Sequence, residues 1–441
     1  RVAAIDPASL KSVILQLDKT QFLPPAELFE QQRRQLGSVC AHAMETTPFY
    51  ADRFADAGFD PRGDITPENF RRLPVLTRAE YQSAALETKP LHVPLDHGEY
   101  GEVKSSGTTG RSITVIKTDL CNLIQFATEI RGHMWHQRNF RKKLAMIRYM
   151  DRSKAMAPAR LEYDNWGPAL GLLYRDPGPM VFLNIANSLD DQADWLIRHD
   201  PEYILSYPSN LLALARHFET NGLSLPGLRQ ICTVSELVGA KLRETVRRGW
   251  NVPVKDLYAC EETGFLADQC PDHEHYHVQS ENIYLEIVDE DGAPCPVGQS
   301  GRVLVTSLHN FATPLIRYEI GDYATWGDPC PCGRGLPVLS SIQDRARNRL
   351  ALPGGQSEFA YLADYHDYEQ IKQFQCIQRS LTEIELKFVV SQKLTPEQEE
   401  KTRQLLIRSL GHPFHVTLTY HDEIARNANG KFEEFICDLR R

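Results

Sequence analysis

The sequence lacks any run approaching the roughly 18 consecutive apolar residues of a membrane span. Its first residues, RVAAIDPASLKSVILQLDK, hold no sustained apolar core of the kind a secretory signal needs. A membrane partner is therefore not expected and a cytoplasmic location is, although a chain that starts at Arg1 rather than Met leaves targeting at that end open. Positive charge is also in short supply: 49 Lys and Arg stand against 58 Asp and Glu, a formal charge of -9. That balance argues against a duplex-DNA binder, whose phosphate contacts need a basic surface, and no nucleic-acid partner is expected. There is no low-complexity tract, no internal repeat and no GxxxxGK followed by Ser or Thr, which speaks against phosphoryl transfer of the P-loop type.

What is present is an ordinary globular composition, 42% apolar and 24% charged, over 441 residues. That length suffices for two or three domains and a large core. The ten cysteines are unevenly spread. Cys40, Cys121, Cys232, Cys376 and Cys437 are scattered and read as small buried residues. Cys260, Cys270, Cys295, Cys330 and Cys332 crowd into one segment, which in a chain without a signal peptide favours a metal site over disulfides.

The first 100 residues read as helical, with an amphipathic stretch at Leu28 to Met44 and short helices around Pro67 to Phe70 and LPVLTRAEYQ. A Gly- and Ser-rich loop at 104–112 precedes a helix near 119–134. From 144 to 260, the strand-like runs LAMIRYM, PMVFLNI, YILSY and RQICTV alternate with amphipathic stretches such as 209–220, the pattern of a largely parallel, covered sheet. At 283–308 two alternating strands flank an acidic, Gly-containing turn, which predicts an antiparallel hairpin. A boundary falls near Arg347. Beyond it QFQCIQ, EIELKFVV and FHVTLTY read as strands, and a helix starts at Thr395-Pro396 with Gln398 placed for a capping box and stops at Gly411. The expected architecture is α/β, with a large domain over 1–346 and a small α+β domain over 347–441.

Ser105-Ser106-Gly107-Thr108-Thr109-Gly110 is the most informative segment. Glycines allow close backbone approach and positive φ, so consecutive N–H groups can converge on one anion, and four hydroxyls add donors. A flexible linker has a similar composition. The segment resembles the signature loop of the adenylate-forming superfamily (acyl-CoA synthetases, adenylation domains, luciferases), and SSGTTG resembles its phenylacetate-CoA ligase branch. TPFYADRF and LPVLTRAEYQ are similar to N-terminal segments of that branch, and the later motifs follow in family order. Arg111-Ser112 departs from the usual Lys after GTTG.

The resemblance implies roles for residues further along. Thr233-Val234-Ser235-Glu236 occupies the place of a Gly-Ala-Glu-like motif beside adenine, so Ser235 and Glu236 join the nucleotide site. Tyr258-Ala259-Cys260-Glu261-Glu262 stands for Tyr-Gly-x-Thr-Glu: Tyr258 would stack near the adenine and Glu262 would help hold Mg²⁺, a hard cation that takes oxygen ligands. Ala259 and Glu261 replace the usual Gly and Thr, and an exposed acidic pair is the other reading of Glu261-Glu262. In Arg317-Tyr318-Glu319-Ile320-Gly321-Asp322, similar to RYxxGD, Asp322 would accept from both ribose hydroxyls, while Arg317 is either part of the site or a structural ion pair. Arg345 would lie near ribose and phosphate, though Asp344 and Arg347 depart from the family pattern at the hinge. Lys431, in Asn429-Gly430-Lys431-Phe432, matches the terminal Gly-Lys motif whose lysine reaches the α-phosphate and carboxylate when a mobile small domain closes. A cation that arrives only then stabilises the transition state without binding substrate uniformly.

Within the segment 260–335, Cys270, His277, Cys330 and Cys332 form a Cys₃His set suited to tetrahedral zinc, and four protein ligands leave no position for a catalytic water. A structural zinc would staple the loop after Glu262 to the turn after Asp322. His273, His275, Cys260 and Cys295 are rival ligands, and reduced, unliganded cysteine is the bland alternative. The function this implies is ATP-dependent activation of a small, aromatic carboxylic acid as acyl-AMP, followed by transfer to coenzyme A. An amine or carrier-protein acceptor and a non-enzymatic zinc-ribbon binding protein are the alternatives, with a homodimer left open. Phe126, Trp135, Tyr149, Trp166 and Tyr207 are candidates for an aromatic pocket lining, although aromatics are more often core.

Overall fold

The computed structural model describes residues 5–84, 88–104, 113–150, 155, 161–343, 349–354, 357–360, 362, 368, 370–427 and 430–440. The loop Ser105-Ser106-Gly107-Thr108-Thr109-Gly110 with Arg111 and Ser112, and likewise Asp344, Arg345, Arg347 and Asn429, lie outside the described residues. The chain folds into two units, Arg1–Ile342 and Gln343–Arg441, where the sequence alone sets the division at 346/347.

In the first unit Tyr100–Lys104 and Thr114–Thr118 pair antiparallel as a separate two-stranded sheet, and the other strands form one twelve-stranded sheet. From one edge the order is Ile283–Val288, Ser300–Ser307, Tyr318–Trp326, Val338–Gln343, Tyr276–Val278, Gly264–Gln269, Val254–Cys260, Gln230–Val234, Tyr203–Ser206, Leu144–Arg148, Met180–Asn184 and Leu161–Tyr163. The five strands from Val254–Cys260 to Met180–Asn184 are parallel, and the helices Leu189–His199, Pro208–Thr220 and Ala240–Gly249 connect them. Ile147, Leu183, Leu196, Ile204, Leu211, Ile231 and Val246 pack between these strands and helices. All five residues of Gln230–Val234 are buried, as a parallel strand covered on both faces requires. The 283–308 segment is the expected antiparallel hairpin.

The second unit carries the sheet order His415–Tyr420, Glu383–Val390, Ile371–Gln378, Phe435–Cys437. The helix Pro396–Leu410 begins with the expected capping box, Thr395 Oγ1 accepting from the Gln398 amide at 3.3 Å and Gln398 Oε1 accepting from the Thr395 amide at 2.9 Å. Gly411 ends it at φ +66°, a left-handed C-cap that glycine adopts without strain.

One clamp ties the N-terminal helices to the sheet. Arg317, 2% exposed, pairs through Nε with Glu286 Oε2 at 3.0 Å. Its Nη1 donates to the carbonyls of Arg71, at 2.7 Å, and Leu73. Leu76 then pairs with the strand itself, its amide donating to Arg317 O and its carbonyl accepting from Glu319, each at 2.9 Å. Around this clamp Tyr50, Phe54, Phe59, Phe70, Leu76 and Tyr318 make an aromatic-rich core. Of the two readings of Arg317, the structural ion pair is the one observed. Replacing Arg317 with Ala strands Glu286, whose carboxyl burial already pushes up, and should destabilise the first unit by about 3–5 kcal/mol. Urea denaturation measures it, and the paired change Arg317→Met with Glu286→Gln should lose less.

Candidate nucleotide and metal sites

Tyr258 lies on the strand Val254–Cys260 and Asp322 on Tyr318–Trp326, with three strands between them in the sheet. Laid flat, four strand spacings would separate them by about 19 Å. Instead the Tyr258 hydroxyl donates to Asp322 Oδ2 at 3.0 Å. The sheet therefore curls back on itself, over a core that includes Leu266, Val278, Leu285, Val303, Val305 and Ala324. The residue expected beside adenine and the residue expected at ribose are hydrogen-bonded neighbours.

Glu262 sits four residues past Tyr258, in the turn between Val254–Cys260 and Gly264–Gln269. It is 7% exposed, whereas Glu261 is exposed. The acidic pair is thus split between a solvent-facing and a buried carboxylate. Glu262 Oε1 accepts from Arg78 Nη1 at 2.9 Å. Carboxylate oxygens are the hard ligands Mg²⁺ takes, and Arg78 engages one of the two on Glu262. Cys260 lies in the same turn; burial, reinforced by the Glu262 charge, pushes its thiol up to about 12, so it is neutral at physiological pH.

Ser235 follows the strand Gln230–Val234 with φ +73°, a conformation that costs a non-glycine residue about 1 kcal/mol or more and that clusters at functional sites. Glu236 next to it accepts from the Ser209 amide at 2.9 Å, in the first turn of Pro208–Thr220. Its charge there favours the helix N-terminus. Thr233 is 1% exposed and donates to Asp256 Oδ1 at 2.5 Å, while the Tyr276 hydroxyl donates to Oδ2 at 2.7 Å. Thr233 is thus a structural part of the motif.

In the second unit, Lys431 stands beyond a tight turn. Its amide donates to Asn427 Oδ1 at 3.1 Å, its carbonyl accepts from the Asn427 amide at 2.9 Å, and Gly430 takes φ +72°.

The donor atoms of Cys270, His277, Cys330 and Cys332 all lie within 4.8 Å of one another. Cys270 Sγ and Cys330 Sγ are 3.8 Å apart, and Cys332 Sγ is 3.4 Å from His277 Nε2. Disulfide sulfurs stand about 2.05 Å apart, whereas a zinc tetrahedron with Zn–S near 2.3 Å has S–S edges of about 3.8 Å. The donor set and its spacing fit such an ion. Two rivals lie elsewhere, Cys260 bonding Thr263 Oγ1 at 3.0 Å and Cys295 beside Ser300 O at 3.8 Å; His275 borders the cluster, its ring edge-on to His277 at 5.4 Å and stacked on His273 at 5.1 Å, but it is not among the four grouped donors.

The cluster is not where the sequence reading put it. Glu262 precedes the six-residue strand Gly264–Gln269 and Cys270 follows it, so about 20 Å of strand separates them. A metal here would fasten the far ends of the strands rather than the loops that carry Glu262 and Asp322. Its neighbours confirm a packing environment: the Trp135 ring lies edge-on to His277 at 5.7 Å, and Arg334 stacks over Trp135 at 4.7 Å. Gly335 donates to Gln21 O at 2.8 Å, and a Cβ on Gly335 would collide with the Leu23 carbonyl.

The aromatic candidates divide. Trp135 belongs to this packing, and Trp166 is core, its indole N–H donating to Lys142 O at 2.8 Å with Phe140 and Tyr203 around it. Phe126 is partly buried against that same core, Tyr207 is 3% exposed, and Tyr149 is 44% exposed. LPVLTRAEYQ was legible as a short helix and as a resemblance, but neither singles out Arg78; an arginine at the first position after a Thr N-cap was the available signal.

Burial pushes Asp256 up to about 6 from its ordinary 3.8, against the pull of the Thr233 and Tyr276 hydrogen bonds. A raised carboxyl binds its proton more tightly in the fold, so this contribution to stability is present below about pH 4 and lost as pH rises through about 6. Wild-type stability relative to Asp256→Asn should accordingly fall by about 2–3 kcal/mol between pH 4 and pH 7. Urea denaturation at both pH values checks this, and a pH-independent difference contradicts it.

Residues 105–313 match the AMP-binding enzyme family and residues 359–438 the CapK C-terminal domain. The chain is 25% identical to a phenylacetate-coenzyme A ligase of Thermus thermophilus over 95% of this chain and 98% of that one. It is 24% identical to the Escherichia coli phenylacetate-coenzyme A ligase over 69% of each. Among solved structures, a 2-hydroxyisobutyryl-CoA ligase in the postadenylation state superposes with a TM-score of 0.75 at 20% identity, covering 96% of this chain and 92% of that one. With the phosphate loop, Tyr258, Asp322, Glu262 and Lys431 in the order of the motifs, the chain carries an AMP-binding enzyme segment over 105–313 and is similar along nearly its whole length to phenylacetate-coenzyme A ligases, with the fold of the adenylate-forming CoA ligases.

Proposed function

We propose that the protein is an AMP-forming acid-CoA ligase acting on a small carboxylic acid. The substrate carboxylate oxygen attacks the α-phosphorus of ATP, the bond from that phosphorus to the bridging β-phosphate oxygen breaks, and pyrophosphate leaves; Glu262 would help hold the Mg²⁺ that would neutralise phosphate charge. The coenzyme A sulfur then attacks the acyl carbon and AMP departs with the carboxyl oxygen it gained. The observation that carries this reading is the Tyr258–Asp322 hydrogen bond at 3.0 Å with buried Glu262 on the following turn. It joins three residues whose family roles are adenine, ribose and Mg²⁺. The Ser105–Gly110 loop would cradle the phosphates, with Ser235, Glu236 and Arg345 around the nucleotide, and Lys431 would stabilise the pentacovalent phosphorus.

Acid-dependent ATP–pyrophosphate exchange tests this. Lys431→Ala should abolish the exchange while leaving ATP binding largely intact, and unchanged exchange would remove Lys431 from the reaction. For the acid, the relatives named phenylacetate-coenzyme A ligase favour an aryl substrate, whereas the 2-hydroxyisobutyryl-CoA ligase acts on a short branched acid. An aryl acid is the reading adopted, and an exchange panel containing phenylacetate, benzoates and 2-hydroxyisobutyrate should be led by an aryl member.

Zinc belongs to the same reading as a structural ion held by Cys270, His277, Cys330 and Cys332. Purified protein should carry about one zinc per chain, lost in the double change Cys330→Ser and Cys332→Ser. Metal analysis finding clearly less in the wild type would contradict it.

A further inference from the structure

Glu262 is the buried carboxylate of the nucleotide site, and its partner comes from 184 residues earlier in the chain. A long surface arginine is ordinarily free to move; Arg78 is not. The Arg317 clamp fixes the carbonyls of Arg71 and Leu73, and Leu76 is bonded on both sides of its backbone to the strand that carries Asp322. Thr77 then opens the helix Arg78–Ser83 with a capping box, Thr77 Oγ1 accepting from the Glu80 amide at 3.2 Å and Glu80 Oε2 accepting from the Thr77 amide at 3.4 Å. Glu80 is itself paired with Arg53. Arg78 is the first residue of that helix, so its backbone is set before its side chain reaches Glu262 Oε1.

We propose that Arg78 is a positioning residue for the metal at the nucleotide site. It holds Glu262 through one carboxylate oxygen and so orients the group that receives Mg²⁺. The proposal rests on the adenylate-forming reading, in which Glu262 is that ligand. Without Arg78 the buried carboxylate loses its counter-charge and its fixed orientation together, and partners of this kind are typically worth about 10–100-fold in metal affinity or activity. A lysine supplies the charge without the guanidinium fork, so it should recover part of the loss.

The test measures two quantities on the full-length protein: Mn²⁺ binding in the presence of ATP, by electron paramagnetic resonance, and acid-dependent pyrophosphate exchange. Arg78→Ala should weaken Mn²⁺ binding and lower the exchange rate, each by about 10–100-fold, with Arg78→Lys between the alanine variant and the wild type. In a Glu262→Gln background, Arg78→Ala should cause little further loss of either. Unchanged or tighter Mn²⁺ binding in Arg78→Ala would overturn the proposal, as would equal losses with and without Glu262. Unfolding of Arg78→Ala in circular dichroism passes the decision to Arg78→Lys, whose wild-type Mn²⁺ binding and exchange would then count against it. A wild-type protein that binds Mn²⁺ with ATP but exchanges pyrophosphate with no acid would refute the functional reading, leaving the role of Arg78 to the binding measurement.

Discussion

A carboxylate taken out of water needs a cation beside it, and the arrangement around Glu262 meets that need from the far end of the sequence. Arg78 reaches Glu262 only because Arg317 has already pinned residues 71–73 and Leu76 has joined the strand edge. The same strand presents Asp322 a few residues later. One buried arginine in the RYEIGD segment therefore holds both the strand that presents Asp322 and the segment that brings Arg78 to Glu262.

Curling of the sheet is the second constraint. Tyr258 and Asp322 touch although three strands lie between them in hydrogen-bonding order. The apolar interior formed by Leu266, Val278, Leu285, Val303, Val305 and Ala324 stabilises that curvature. A zinc at the cysteine–histidine cluster would fasten strand ends some 20 Å of strand away from Glu262. Such an ion would act on the site through the sheet and not through the loops themselves.

Much of this was legible in the sequence, for local reasons. Thr395, Gln398 and Gly411 announced the C-terminal helix because capping chemistry is confined to a few adjacent residues. LAMIRYM, PMVFLNI, YILSY and RQICTV were apolar runs of strand length, and each contains a strand of the parallel half. The sequence left Cys260, Cys295, His273 and His275 as rivals of the four zinc-type donors, and only coordinates show which donor atoms come together. What sequence could not supply was direction and distance. It put the cluster beside Glu262 because strand Gly264–Gln269 was not recognised as the spacer between them. It offered Trp135 and Trp166 as pocket lining because an aromatic side chain looks the same in a pocket and in a core. The Arg78–Glu262 pair is a long-range contact with no local signature.

The central claim is that the acid is activated through an acyl-adenylate, and the fate of one oxygen atom tests it most directly. The protein would be incubated with ATP, coenzyme A and its best acid substrate labelled with ¹⁸O in the carboxyl group. The account predicts that a single labelled oxygen appears in the AMP and none in pyrophosphate, because the carboxylate attacks the α-phosphorus. Label in inorganic phosphate with unlabelled AMP would mean activation through an acyl phosphate and would contradict it.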